Sequence, residues 1–148
     1  MPLETKLIAL AILVLVATAA GIFWRVNTGK AHRVRSGEQV QLARLEATKD
    51  GSAVKAFGKR ATFVQFSSEV CSQCRTTARI LGEYETKHKD VLHLEVDVTD
   101  KLDLAAHFNV LQTPTTLVLD GAGRVRARIG GTPKHGAIQE ALESLEIR

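Results

Sequence analysis

Ala61-Thr62-Phe63-Val64-Gln65-Phe66-Ser67-Ser68-Glu69-Val70-Cys71-Ser72-Gln73-Cys74-Arg75 reads as a buried strand running into a Cys-x-x-Cys pair at the start of a helix. These are the only 2 cysteines in the 148-residue chain. A disulfide needs Cα atoms about 4.4–6.8 Å apart, and one helical turn brings residues i and i+3 to about that separation. Cys71 and Cys74 can therefore pair without moving the backbone. The helix start also presents unpaired N–H groups and the positive end of its dipole, which favour a thiolate on Cys71. Cys71 is then the attacking sulfur and Cys74, one turn deeper, the resolving one. Two ordinary helix cysteines, or half of a metal site, are the alternatives that the residues alone leave open.

Working outward, the strand has partners. Val91-Leu92-His93-Leu94-Glu95-Val96-Asp97-Val98 alternates and predicts a second strand, and the pattern from Cys71 to about Lys87 is helical. Strand, helix and strand at this spacing form a βαβ unit, so the two strands should run parallel. Gly82 lies inside that helix at a cost of about 1 kcal/mol relative to Ala. Asp100 is expected to cap a helix over 101–108. Residues 115–120 and 124–129 flank Gly121-Ala122-Gly123 as a hairpin. Thr132-Pro133 should open a last helix reaching about Leu145. Before the central strand, 39–45 is expected as an edge strand and 52–57 as a short helix after an Asp50-Gly51 turn.

The N-terminus has a different character. Leu7 to Trp24 is apolar except for Thr18 and Gly21, spanning about 27 Å as a helix against a hydrocarbon core of about 30 Å. Lys6 and Arg25 bound it, and Phe23-Trp24 sits where an interfacial aromatic belongs. We read residues 1–26 as a single transmembrane anchor, 27–37 as a basic juxtamembrane linker and 38–148 as the folded domain. A cleaved signal peptide is the competing reading, because Ala17-Thr18-Ala19 resembles a cleavage site. The apolar run continues past that point, and the n-region carries only Lys6 against Glu4.

Charge follows the same division. Residues 1–35 hold five basic side chains (Lys6, Arg25, Lys30, Arg33 and Arg35) against Glu4, whereas 36–148 hold 15 of each sign. The basic balance therefore belongs to the anchor and its flank, which removes the composition argument for nucleic-acid binding, since that needs a basic face on the domain itself. The basic flank after the span favours a cytoplasmic domain by the positive-inside rule. It also suits either contact with anionic headgroups or a plain stop-transfer role.

With those stretches in place, the chain resembles the thioredoxin family over about 39–147. The resemblance rests on Thr62–Ser67 leading into Cys71-x-x-Cys74, on Leu94-Glu95-Val96-Asp97, on Val110-Leu111-Gln112-Thr113-Pro114-Thr115, and on Gly130 after the last strand. It implies an α/β thioredoxin-like fold, a central mixed sheet flanked by helices, here preceded by one transmembrane helix. It also implies that Pro114 is cis and sits against the cysteines, with the Thr113 backbone offering strand-like hydrogen bonds to a bound peptide. Three positions depart from the family pattern. Val70 replaces the usual Trp, Ser72-Gln73 replaces Gly-Pro, and Gln65 replaces the buried acid that assists the second cysteine. An amide does not exchange a proton at neutral pH. His93 stands where the family often has a Lys, so Gln65 and His93 are expected as an altered polar pair beneath Cys74. There His93 or a water carries the proton, or His93 is only a hydrogen-bonded core residue. Arg75 either helps hold the Cys71 thiolate or faces solvent, and Glu69 opposes it.

Cys71-x2-Cys74-x13-His88-x4-His93 approaches a zinc-finger spacing. The cysteines open a helix here, and His88 falls about 20 Å from Cys74 along it, so no metal is read and no cofactor is called for. The expected function is a membrane-anchored thiol–disulfide oxidoreductase. Its partners are proteins bearing thiols or disulfides, a thiol reductant or oxidant, and the membrane through residues 7–24, without nucleic acid. A cytoplasmic domain favours a reducing role, and an outward-facing one favours oxidation, isomerisation or maturation of haem-binding or other cysteine proteins. The alternative is a thioredoxin-fold interaction module with little turnover.

Overall fold

The computed structural model describes residues 2–35 and 37–146. Ser36 of the expected linker and residues 147–148 of the expected domain lie outside them, as does Met1. The elements in order are α1 (Leu3–Asn27), β1 (Ala31–Arg33), α2 (Leu42–Leu45), β2 (Thr48–Lys49), β3 (Ser52–Ala53), β4 (Ala61–Ser67) and α3 (Ser72–Lys87), followed by β5 (Val91–Asp97), α4 (Leu102–His107), β6 (Thr115–Asp120), β7 (Val125–Gly130) and α5 (Ala137–Glu146).

Five strands form a mixed sheet in the order β1-β7-β6-β4-β5. β4 and β5 are parallel from Ala61↔Val91 to Ser67↔Asp97, as the βαβ reading requires. β4, β6, β7 and β1 pair antiparallel. Every residue of β4 is buried, which is why its sequence reads as a nearly continuous apolar run. Its pleat sends Ala61 and Phe63 to one face, against Leu81 of α3 and Ile138, Ala141 and Leu142 of α5. Val64 and Phe66 go to the other face, against Leu45 of α2 and Phe108 at the end of α4. Phe66 and Phe108 meet with centroids 5.3 Å apart. Each fully buried Phe or Leu contributes about 1.5–3 kcal/mol.

Four expectations need correction. Residues 39–45 are not a strand: Gln39 makes one isolated bridge to Arg124, and α2 then turns Leu45 fully into the core. Residues 52–57 are not a helix. Asp50 and Gly51 have φ of 53° and 77°, the left-handed pair of a two-residue hairpin turn, and this joins β2 to β3. α4 is capped at Lys101 without a side-chain bond, so Asp100 is not its cap. α5 begins at Ala137 rather than behind Thr132, because the Lys134 backbone N–H donates to Gly29 O at 2.9 Å. Within the stretch expected as a linker, Ala31–Arg33 is an edge strand, paired with Ile129–Ala127.

α1 has no buried residue. Only Thr28-Gly29-Lys30 separates it from β1, and this connection is fixed. The Thr28 N–H donates to Trp24 O at 2.9 Å, and the Gly29 N–H to Gly130 O at 2.7 Å. Lys134 Nζ donates to the last carbonyls of α1, Arg25 O at 2.7 Å and Val26 O at 2.9 Å, placing a cation at the negative end of the helix. Gly29 has φ +80°, and a Cβ there would lie 2.4 Å from Thr132 O.

Candidate active site

Cys71 ends the turn after β4 and is the N-cap residue of α3. Its Sγ accepts from the Cys74 backbone N–H at 3.1 Å, a place usually taken by a Ser or Asp oxygen. The two cysteines form a disulfide with Cα atoms 5.2 Å apart. Cys71 is half-buried at the surface and Cys74 is 2% exposed beneath it. One sulfur of the pair is thus reachable from solvent and its mate is covered, the asymmetry that stepwise exchange requires.

The Thr113–Pro114 peptide is cis. Pro114 O accepts from the Gly131 N–H at 2.7 Å, and Thr113 Oγ1 meets Ser68 Oγ at 3.1 Å, tying this loop to the end of β4. The Thr113 backbone makes no hydrogen bond among the described residues. Thr113 and Cys71 line one cleft of about 510 Å3, together with Val70, Ser72, Gln73, Gln112 and Gly131. The loop and the cysteines are therefore neighbours.

Beneath the pair, Gln65 is fully buried. Its Nε2 donates to Cys74 O at 2.9 Å, and its Oε1 meets His93 Nε2 at 3.0 Å. With Nε2 of the amide donating to a carbonyl, Oε1 must accept, so His93 carries its proton on Nε2. Burial pushes His93 down from its ordinary 6.5 to about 4; Glu85 opposes this and Lys49 reinforces it. The imidazole is therefore neutral at physiological pH. The expected pair exists, but it reaches the Cys74 carbonyl rather than its sulfur.

Behind His93, Lys49 of the β2–β3 hairpin pairs with Glu85 of α3 and donates to His93 O at 3.0 Å, while Glu85 accepts the His93 backbone N–H at 3.2 Å. Sequence reading missed Lys49 and Glu85. Glu85 and the His93 backbone come together only when α3 packs on β5, and Lys49 lies on a two-residue strand with no periodic signal.

The Arg75 side chain follows Cys74 on α3, is exposed and makes no ion pair or hydrogen bond among the described residues. Glu69 is likewise exposed, its backbone N–H bonded to Thr99 Oγ1 at 3.1 Å. Val70 is 98% exposed. The chain's single Trp is elsewhere in sequence but close in space: Trp24 of α1, with Thr28, completes the wall of the cleft beside Cys71. The apolar run that contains it pointed to lipid, and nothing in that run pointed to the cysteines.

The histidines of the zinc-like spacing do other things. His88 stacks on Tyr84 with centroids 4.2 Å apart, and His93 is held by Gln65. Among the described residues no group of three or more His, Cys, Asp or Glu is gathered for a metal.

The thioredoxin family model matches residues 41–144, which leaves α1 and β1 outside it. Over 102 residues the chain is 26% identical to thioredoxin H9 of Arabidopsis thaliana, covering 69% of this chain and 67% of that protein. It is 28% identical over 92 residues to thioredoxin of Gallus gallus, covering 62% and 86%. Thioredoxin NaTrxh from Nicotiana alata superposes with a TM-score of 0.50 at 26% identity, covering 58% of this chain and 74% of that one. Spinach chloroplast thioredoxin f, in its short form, shares the fold with a TM-score of 0.53 at 20% identity, covering 60% and 79%.

Proposed function

The chain belongs to the thioredoxin family, and from that premise we propose that it is a thiol–disulfide oxidoreductase held at a membrane by α1 and acting on cysteines of other proteins. The observation that carries the chemistry is the Cys71–Cys74 disulfide at the N-terminus of α3, half-exposed at the first sulfur and covered at the second, beside the Thr113–Pro114 loop.

In the reducing direction the Cys71 thiolate attacks one sulfur of a substrate disulfide. A mixed disulfide forms, and the other substrate sulfur leaves as a thiolate. Cys74 gives up its proton and attacks the Cys71 sulfur. The Cys71–Cys74 disulfide forms, and the second substrate sulfur departs, so the two substrate thiolates take up the two protons of the former dithiol. Two electrons have moved from protein to substrate, and a dithiol reductant restores the pair. The Thr113 backbone receives the substrate strand. Gln65 and His93 hold the first turn of α3 through the Cys74 carbonyl.

The tether is supported by the length of α1, 25 residues with none buried, and by its apolar surface on every side. Arg25, Lys30, Arg33 and Arg35 follow the span and favour a cytoplasmic domain, where the reducing direction prevails. A reporter fused at the C-terminus fixes the side.

Reduction of a protein disulfide by the full chain, in the presence of a dithiol reductant, tests the chemistry. Cys71→Ser should abolish turnover, and Cys74→Ser should accumulate a mixed disulfide with substrate. A second reading, an interaction module with little turnover, draws on Gln65 standing where an acid would assist Cys74. Undiminished peptide binding with no turnover would select it.

A further inference from the structure

We propose that α1 sets the Cys71–Cys74 cleft at the bilayer surface, so that its substrate is a disulfide carried close to the headgroups by another membrane-embedded protein. This deepens the reading above and rests on α1 being a retained membrane span.

The apolar run ends at Trp24, and Arg25 is the first charge after it. That places the edge of the hydrocarbon at Trp24. Trp24 and Thr28 line the same cleft as Cys71, Gln73, Thr113 and Gly131. Trp24, Gln73 and Thr28 also share a second cleft with Arg25 and Lys134. The reactive sulfur therefore opens into the same cleft as the residue that marks the lipid boundary.

The domain is not free to swing away from that position. Gly29 is hydrogen-bonded on both sides, to Gly130 O and from the Lys134 N–H. Lys134 holds the last carbonyls of α1. A Cβ on Gly131 would lie 2.5 Å from Thr28 Cγ2, so the exit of the helix packs directly on the loop beside the cysteines. Val70 and Leu111, 98% and 87% exposed, stand beside the cleft residues Cys71 and Gln112 and give that rim an apolar border. A soluble folded protein would have to enter between this rim and the lipid. A cysteine pair just outside the span of a neighbouring membrane protein is already at the right height. The exchange is the balanced two-electron step written above, with that partner's disulfide as the oxidant.

The test uses the full chain, pre-reduced, in lipid nanodiscs. The probes are synthetic transmembrane peptides carrying a two-cysteine disulfide loop on Gly/Ser spacers of about two, ten and thirty residues, whose reach grows from about 8 to about 30 Å. Single-turnover reduction is followed by thiol alkylation. The shortest spacer should react about tenfold faster than the longest. A flexible insertion of about twenty Gly/Ser residues between Thr28 and Gly29 should remove that preference. Lys134→Ala, which removes the side-chain bonds to the last carbonyls of α1 without lengthening the chain, should weaken it. A natural chain fastest with the longest spacer, or one whose spacer profile matches that of the insertion variant, overturns the inference. A soluble disulfide peptide is the control for the chemistry: if neither chain reduces it or any anchored probe, the oxidoreductase reading has failed. Cleavage of α1, or release of the protein from washed cell membranes, removes the tether instead. Each of these two results also removes the inference, and each is distinguishable from a wrong spacer profile.

Discussion

Gln65 uses both ends of its amide inside the core, donating to Cys74 O and accepting from His93. The His93 Nε2–H that Gln65 accepts is present in the neutral ring and in its cation alike, so burial rather than this bond keeps the imidazole neutral. Protonating Nδ1 would place a charge in a covered position, which is why His93 titrates near 4. The sign follows from linkage. Between about 4 and the ordinary 6.5 the unfolded chain binds the proton and the folded chain does not, so this contribution is fully present above 6.5 and is lost as pH falls toward 4. We expect unfolding by urea near pH 5 to show a loss of about 2 kcal/mol from this group relative to neutral pH. His93→Asn, which keeps a donor but does not titrate, should flatten that slope whatever its effect at neutral pH. The same substitution should leave the pH–rate profile of disulfide exchange unchanged if His93 only positions Gln65; a displaced profile would give the imidazole a part in proton transfer.

At the scale of elements, two glycines separate packing from backbone geometry. Gly82 lies inside α3, and a Cβ there would meet nothing within 4 Å. Gly82→Ala should therefore stabilise the domain by about 1 kcal/mol. Gly29→Ala should do the opposite, costing about 1–3 kcal/mol at the α1–β1 connection, because φ is +80° and a carbonyl lies 2.4 Å from the new carbon. Thermal unfolding of the two variants, with limited proteolysis between residues 27 and 31 for the second, checks both. The sheet core was legible for physical reasons. β4 is buried on both faces, and β5 alternates. α3 carries its apolar side at helical spacing, and a Gly-rich turn separates β6 from β7. Apart from the Asp50-Gly51 turn, residues 31–57 were not legible, because strands of two or three residues have no period of their own. Ala31–Arg33 is a strand only because β7 lies beside it, and Ser52–Ala53 only because a left-handed turn folds it onto Thr48–Lys49. The Thr132-Pro133 signal was a sound helix start on local grounds, but the contact of Lys134 with Gly29 delays the helix to Ala137. At the site, the cysteines, Pro114 and the Gln65–His93 pair were readable from spacing and resemblance. Trp24 was not, since its place beside Cys71 depends on how an outlying helix docks.

For the whole molecule, the single Trp gives a direct readout of that docking. A disulfide quenches a neighbouring excited indole by accepting an electron. Reducing Cys71–Cys74 in the full chain should therefore raise Trp24 emission, and Cys71→Ser should remove the change. An unchanged spectrum would place α1 away from the cysteines. The edge strand β1 has one further consequence, for the order in which the protein is made. Ala31–Arg33 leaves the ribosome soon after α1, yet its partner Ala127–Ile129 is synthesised about a hundred residues later. Long-range pairing of this kind waits for loop closure. The three-residue strand therefore spends nearly all of translation without a neighbour, while the segment ahead of it has already left the exit tunnel. Only when the ribosome has passed Lys134 do the first and last parts of the chain lock together, so a nascent chain halted earlier would hold its cysteines on a loose cord, with α1 not yet fastened beside them.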